Sequence, residues 1–152
     1  LQDTVPSWLY EVKAGGTSIW ERWDALRPDG TVNLGKDPGS GLVNAVGGGM
    51  VSFNHYANGA VGDWLYRRVA GLEAIEPGYK KFKVAPLVGG GLTSVSCFKK
   101  LSSGTIKINW NFENGVFVLS INVPFNTSAV ITLPDGKSFE VSSGKYVYSV
   151  EM

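Results

Sequence analysis

Residues 105–123 commit the second half of this chain to an antiparallel sheet. Thr105-Ile106-Lys107-Ile108-Asn109-Trp110-Asn111-Phe112 alternates polar and apolar side chains, so a strand here places Ile106, Ile108, Trp110 and Phe112 on one face. Asn114-Gly115 follows, and both residues tolerate the positive φ that a two-residue hairpin turn demands. Val116 to Val123 reads as the returning strand. Further strands are expected over Lys81–Ala85, Leu92–Lys99, Ala129–Leu133, Lys137–Val141 and Lys145–Val150. Pro134-Asp135-Gly136 and Ser142-Ser143-Gly144 supply the last two turns. Short antiparallel strands at this density predict a β-sandwich.

Before Pro77-Gly78 the period is helical. Phe53, Ala57, Ala60, Val61, Trp64, Leu65 and Val69 recur at the spacing of one buried helical stripe. Ser52 stands where an N-cap would, Arg67 and Arg68 where the last turn favours cations, and Gly71 at the stop. The spacing predicts a helix from about Phe53 to Ala70. A shorter helical segment is expected over Pro6–Val12, ending before Gly15-Gly16. Residues 25–49, with Arg27-Pro28-Asp29-Gly30 and Gly47-Gly48-Gly49, read as loop. Two helical segments and a long loop cannot readily bury Trp8, Trp20, Trp23, Phe53 and Trp64. The first half therefore reads as the end of a larger helical domain, and the fold class as α+β.

Composition removes several kinds of chemistry. A formal net charge of +1 offers no electrostatic case for nucleic acid or an anionic membrane surface. No apolar run approaches the roughly 20 residues of a membrane-spanning helix. Cys97, the single cysteine, can form no internal disulfide, and its alternation with Val95 marks it as a small buried hydrophobe. His55, the single histidine, excludes a histidine-rich zinc site. Gly89-Gly90-Gly91 lacks the Gly-Lys-Ser/Thr ending of a phosphate loop. Lys99, Lys100 and Lys107 read as edge and solubility charges, and Asp63 and Glu73 as helix-surface or capping charges. What remains is 5 Trp, 6 Tyr, 7 Phe and 13 acidic residues. Aromatic platforms beside carboxylates suit sugars, which present apolar C–H faces and hydroxyl edges.

The densest such cluster is Gly15-Gly16-Thr17-Ser18-Ile19-Trp20-Glu21-Arg22-Trp23-Asp24, a carboxylate between two indoles and next to a guanidinium. Two readings follow from local chemistry. Glu21 is a base that activates water, as an inverting glycosidase requires, or it forms an ion pair with Arg22 beneath the tryptophans. His55, in Ser52-Phe53-Asn54-His55-Tyr56, is placed in the first turn of the expected helix. It is either a hydrogen-bond partner for a sugar hydroxyl or for Glu21, or a helix-start histidine donating to a nearby carbonyl.

Ser7-Trp8-Leu9-Tyr10 and the Trp-Glu-Arg-Trp stretch resemble the closing motifs of the bacterial and fungal α-L-rhamnosidases. So do residues 52–66 (Ser-Phe-Asn-His-Tyr-Ala-Asn-Gly-Ala-Val-Gly-Asp-Trp-Leu-Tyr), Pro77-Gly78-Tyr79-Lys80, and Ala85-Pro86 with Gly89-Gly90-Gly91-Leu92-Thr93. The resemblance runs from about Trp8 to Val95, with the motifs in order. It implies the terminal helices of an (α/α)6 barrel over residues 1–77 and a C-terminal antiparallel β-sandwich over residues 78–152. It also implies inverting hydrolysis of terminal α-L-rhamnosides, with Glu21 as general base and His55 on the rhamnose. Trp20 and Trp23 are expected as aromatic walls of that substrate site. The family's general acid lies on earlier barrel helices, for which no segment matches here, so the isolated chain is expected to be inactive. No metal or cofactor is expected. The expected partners are rhamnose-containing glycosides and the remainder of the barrel. In its absence, the unburied tryptophans favour a homo-oligomer. The competing expectation is a non-catalytic carbohydrate-binding or structural sandwich.

Overall fold

The computed structural model of the chain describes residues 5–34 and 51–152. Two compact units emerge, Leu1–Val61 and Gly62–Met152.

In the first unit, helix α1 (Trp8–Lys13) begins where the Ser7 hydroxyl accepts from the Tyr10 N–H at 3.0 Å. It stops at Ala14, and Gly15 takes a left-handed φ of +84° that turns the chain back. Trp20 (4% exposed) and Ala25 form the apolar centre of this unit. Tyr10 and Phe53 pack edge-on against the Trp20 ring, with centroids 6.4 and 5.2 Å away. Leu26 and Val32 form an isolated bridge around the Arg27–Gly30 turn. The rest of the expected loop, including Gly47-Gly48-Gly49, falls outside the described residues.

The expected helix from Phe53 starts later. A 3-10 turn at Ala57–Ala60 leads into α2 (Val61–Trp64) and a π-helical turn at Leu65–Val69. Residues 52–55 cannot be helical because their backbone is used elsewhere. Ser52 O accepts the Glu21 N–H at 2.9 Å, and the His55 N–H donates to Ile19 O at 2.8 Å. Ser52 is therefore no N-cap for this helix; its hydroxyl accepts from the Asn54 N–H instead. His55 stands just ahead of the helix, and its Nδ1 accepts from the Ala57 N–H at 3.2 Å. The stripe is not buried as expected either. Phe53, Trp64 and Leu65 are exposed and only Val69 is covered. An amphipathic face is buried only where something packs on it, and among the described residues that happens at the Val69 end.

The second unit is a two-sheet sandwich of eight strands: β1 (Leu72–Ala74), β2 (Lys81–Val84), β3 (Ser94–Leu101), β4 (Gly104–Glu113), β5 (Val116–Val123), β6 (Ser128–Thr132), β7 (Ser138–Val141) and β8 (Gly144–Glu151). One sheet runs β1-β2-β6-β7 and the other β3-β4-β5-β8. Ile106, Ile108 and Trp110 are buried and Phe112 half-buried on the predicted face of β4. Phe117, Leu119 and Ile121 of the neighbouring β5 join them in the shared core, with Phe82 and Val84 of β2 and Ala129 and Ile131 of β6 from the other sheet. Asn114 and Gly115, at φ of +51° and +77°, close the β4–β5 hairpin.

Two features of the sandwich escaped the alternation pattern. Strand β1 is only three residues long and follows the helix at once, with Gly71 at φ +81° as the joint. Strands β2 and β6 pair in parallel because the chain visits the other sheet through β3, β4 and β5 before returning. The other strand pairs are antiparallel. The three glycines at 89–91, all at positive φ, turn the chain toward β3. Cys97 is half-buried against the core, and burial pushes its thiol pKa up. Lys99 is not a free edge charge: its ammonium lies 4.9 and 5.7 Å from the ring centres of Tyr79 and Tyr66.

Candidate active site

The first unit brings Glu21 and His55 onto two chain segments that pair with each other. Residues 18–21 and 52–58 are clasped by the Glu21 N–H to Ser52 O bond (2.9 Å) and the His55 N–H to Ile19 O bond (2.8 Å). The Ser18 hydroxyl adds a bond to Asn54 Oδ1 at 2.6 Å. Asn58 Nδ2 donates to the carbonyls of Trp20 (3.3 Å) and Glu21 (3.2 Å). The 33 residues of sequence between the expected base and the expected substrate histidine are thus closed by backbone pairing.

The Glu21 side chain is exposed, and its Oε2 accepts the Ser52 N–H at 2.8 Å. A carboxylate held by a backbone donor has one oxygen fixed and the other available. The neighbouring guanidinium is engaged elsewhere. Arg22 donates through Nη2 to Asn33 O at 2.9 Å, and its Nε lies 3.2 Å from Asp24 Oδ1. Asn33 in turn donates to Asp24 Oδ2 at 2.8 Å. Of the two local readings of this cluster, the Arg22–Glu21 ion pair is not formed; Asp24 is the partner of Arg22.

His55 accepts at Nδ1, so in the neutral ring its proton sits on Nε2, which remains a donor. Tyr56 stacks on the imidazole at 5.0 Å between centroids. The two indoles differ. Trp20 is committed to the core under Tyr10 and Phe53, and offers no free face among the described residues. Trp23 is 36% exposed and packs edge-on against Trp8 at 5.0 Å.

Sequence reasoning overlooked one further carboxylate. Glu11 in α1 is 3% exposed; its Oε2 accepts the Trp20 N–H at 3.4 Å and its Oε1 has no partner among the described residues. Burial raises its pKa above the usual carboxylate value of 4.5, opposed by the Trp20 N–H. The available signal was an acidic residue inside the apolar run Trp8-Leu9-Tyr10-Glu11-Val12. Asn58, within a motif singled out for its histidine, was likewise given no role.

Residues 71–148 match the family model described as the bacterial alpha-L-rhamnosidase C-terminal domain, and residues 1–69 match that of the bacterial alpha-L-rhamnosidase 6 hairpin glycosidase domain. An alpha-L-rhamnosidase of Streptomyces avermitilis is 34% identical over 98% of the chain, which covers 15% of that protein. One from Formosa agariphila is 35% identical over 90% of the chain, covering 13% of it. Among solved structures, native alpha-L-rhamnosidase from Aspergillus terreus superimposes with a TM-score of 0.77 at 38% identity, covering 98% of this chain and 16% of that one. The Streptomyces avermitilis enzyme complexed with L-rhamnose gives 0.76 at 34% identity, covering 99% and 15%. The chain therefore spans about 15% of the length of these relatives.

Proposed function

Because the chain belongs to the bacterial alpha-L-rhamnosidase family, we propose that it forms the C-terminal part of a glycoside hydrolase that removes terminal α-L-rhamnose with inversion, using Glu21 as general base. The observation that carries this reading is the state of the Glu21 carboxylate. It is exposed, unpaired with Arg22, and oriented by the Ser52 N–H on Oε2. Its other oxygen, Oε1, makes no hydrogen bond among the described residues and is the one we assign to take a proton from water.

In the proposed step, water loses a proton to Glu21 Oε1 while its oxygen attacks the anomeric carbon. The bond from that carbon to the glycosidic oxygen breaks, and a second carboxylic acid protonates the leaving oxygen. Inverting enzymes hold the two carboxyl groups about 6.5–9.5 Å apart to admit the water. Glu11 does not suit the acid's part, since its carboxyl is enclosed. The acid is assigned to the remainder of an (α/α)6 barrel, of which residues 1–69 supply the closing elements and which the sandwich, beginning at β1 rather than at residue 78, follows. His55 would donate from Nε2 to a rhamnose hydroxyl. Trp23 would offer indole surface to a C–H face of the sugar, with Trp20 supporting the site from beneath.

Glu21→Gln in the full-length enzyme tests this on p-nitrophenyl α-L-rhamnoside. A lost general base should lower kcat by about 10²- to 10⁴-fold with a smaller change in KM. A kcat within tenfold of wild type refutes the assignment. The 152-residue chain alone should give no turnover; saturable release of p-nitrophenol, abolished by Glu21→Gln, refutes the need for an upstream acid.

A further inference from the structure

Irregular backbone that carries a reacting side chain keeps its place only if its N–H and C=O groups find partners outside helix and sheet ladders. Trp20 and Glu21 lie in such a stretch, outside any helix or strand. Their backbone groups are satisfied by three residues. The Trp20 N–H donates to Glu11 Oε2 at 3.4 Å. The Glu21 N–H donates to Ser52 O at 2.9 Å. Both carbonyls, Trp20 O and Glu21 O, accept from the single Nδ2 of Asn58, at 3.3 and 3.2 Å. A primary amide nitrogen carries two hydrogens, one for each carbonyl, which an aspartate, serine or alanine cannot supply. Glu11 also holds the start of the loop that leads to Trp20, since its own carbonyl accepts the Gly16 N–H at 2.9 Å.

We propose that Asn58 and Glu11 are positioning residues for Glu21, an inference that rests on Glu21 being the general base. Asn58 fixes the two carbonyls that flank the Glu21 N–Cα bond vector, and Glu11 fixes the N–H one residue earlier. Together they set the main chain so that Oε2 meets the Ser52 N–H and Oε1 is left free. The protonation that burial favours suits the Glu11 task, because a carboxyl group in either state keeps an acceptor for the Trp20 N–H. A base displaced by about 1 Å loses on the order of 100-fold in rate, and the loss falls on the chemical step.

Asn58→Asp preserves shape and removes both donors. In the full-length enzyme it should lower kcat by about 10- to 100-fold with KM changed by less than about threefold. Amide hydrogen exchange should then quicken at Ser52 and Glu21 and stay unchanged at Ile108 and Leu119. Glu11→Gln, which keeps a carbonyl acceptor for the Trp20 N–H, should retain kcat within about threefold, whereas Glu11→Leu should lose about tenfold or more. The Glu11 pair keeps the test open if Asn58→Asp does not fold. Unchanged kcat in both Asn58→Asp and Glu11→Leu, in an enzyme that Glu21→Gln inactivates, overturns the positioning inference and leaves the base assignment standing. An active Glu21→Gln enzyme overturns the assignment itself. A rise in KM alone, with kcat and exchange at Ser52 unchanged, also overturns the inference, because it marks a role in binding.

Discussion

Gly71→Ala should unfold the sandwich at a much lower denaturant concentration, and the structure allows the size of the effect to be worked out. Gly71 joins the π-helical turn to β1 at φ +81°, a region that costs an L-residue about 1–2 kcal/mol. Space is the larger problem. A Cβ built there would stand 2.3 Å from Pro86 N, 2.4 Å from Ala85 C and 2.7 Å from Ala85 O. These are backbone atoms, and they cannot swing away like the end of a side chain. They are also tied in place, since the Ala85 N–H donates to Gly71 O at 2.9 Å and the Leu87 N–H to Arg68 O at 2.8 Å. Moving the 85–87 segment that follows β2 away would break those bonds. Overpacking of this kind costs about 1–3 kcal/mol, so the total is about 2–5 kcal/mol. For a domain of this size that corresponds to a fall in Tm on the order of 10–30 °C. Gly78→Ala is the control: φ is similar at +68° but a Cβ meets nothing within 4 Å, so only about 1 kcal/mol should be lost. Urea denaturation followed by tryptophan fluorescence, with near-equal m-values, measures both. If the two variants lose the same stability to within about 0.5 kcal/mol, the backbone collision is not what makes Gly71 necessary.

Trp110→Phe removes the indole N–H that donates to Val69 O at 2.9 Å, and should cost about 1–3 kcal/mol in the same assay because that carbonyl is left buried and unpaired. Gly115→Val, at φ +77° in the β4–β5 hairpin, should cost about 1–2 kcal/mol; an unchanged denaturation midpoint would argue against the left-handed turn. Glu11 gives a pH signature. Burial raises its pKa in the fold, so the folded chain holds a proton that the unfolded chain releases above about 4.5. The stability contributed by protonated Glu11 is present in full below the unfolded value and is lost as pH rises through the folded one. Glu11→Gln should therefore gain on wild type between pH 4 and pH 8, and a constant difference across that range would show that Glu11 is not proton-linked to folding.

The sandwich was legible because its longer strands state their own burial. Ile106, Ile108 and Trp110 alternate with polar residues, and a period of two fixes which side faces the core whatever the partner strand is. The helix was less legible. Phe53 falls in step with Ala57 and Val61, but residues 52–55 pair with residues 19–21 and so cannot also bond along a helix axis. Periodicity reports a face and says nothing about whether the backbone is already engaged. The candidate site was half legible. Glu21 and His55 stood out by type and motif, while Glu11 and Asn58 reach the site through hydrogen bonds to backbone atoms of Trp20 and Glu21, and no spacing in a sequence announces those.

The sequence by itself determined the long strands of the sandwich, the Asn114-Gly115 turn and which residue types could serve the candidate site. These are local properties, set by side-chain period and by the φ values a residue can adopt. Tertiary structure decided the parallel pairing of β2 with β6, the late start of the helix, the pairing of Arg22 with Asp24, and the hold of the Ser52 N–H on Glu21. Each depends on groups far apart in the chain competing for the same hydrogen-bond partner, and only the folded arrangement settles which of them is within reach.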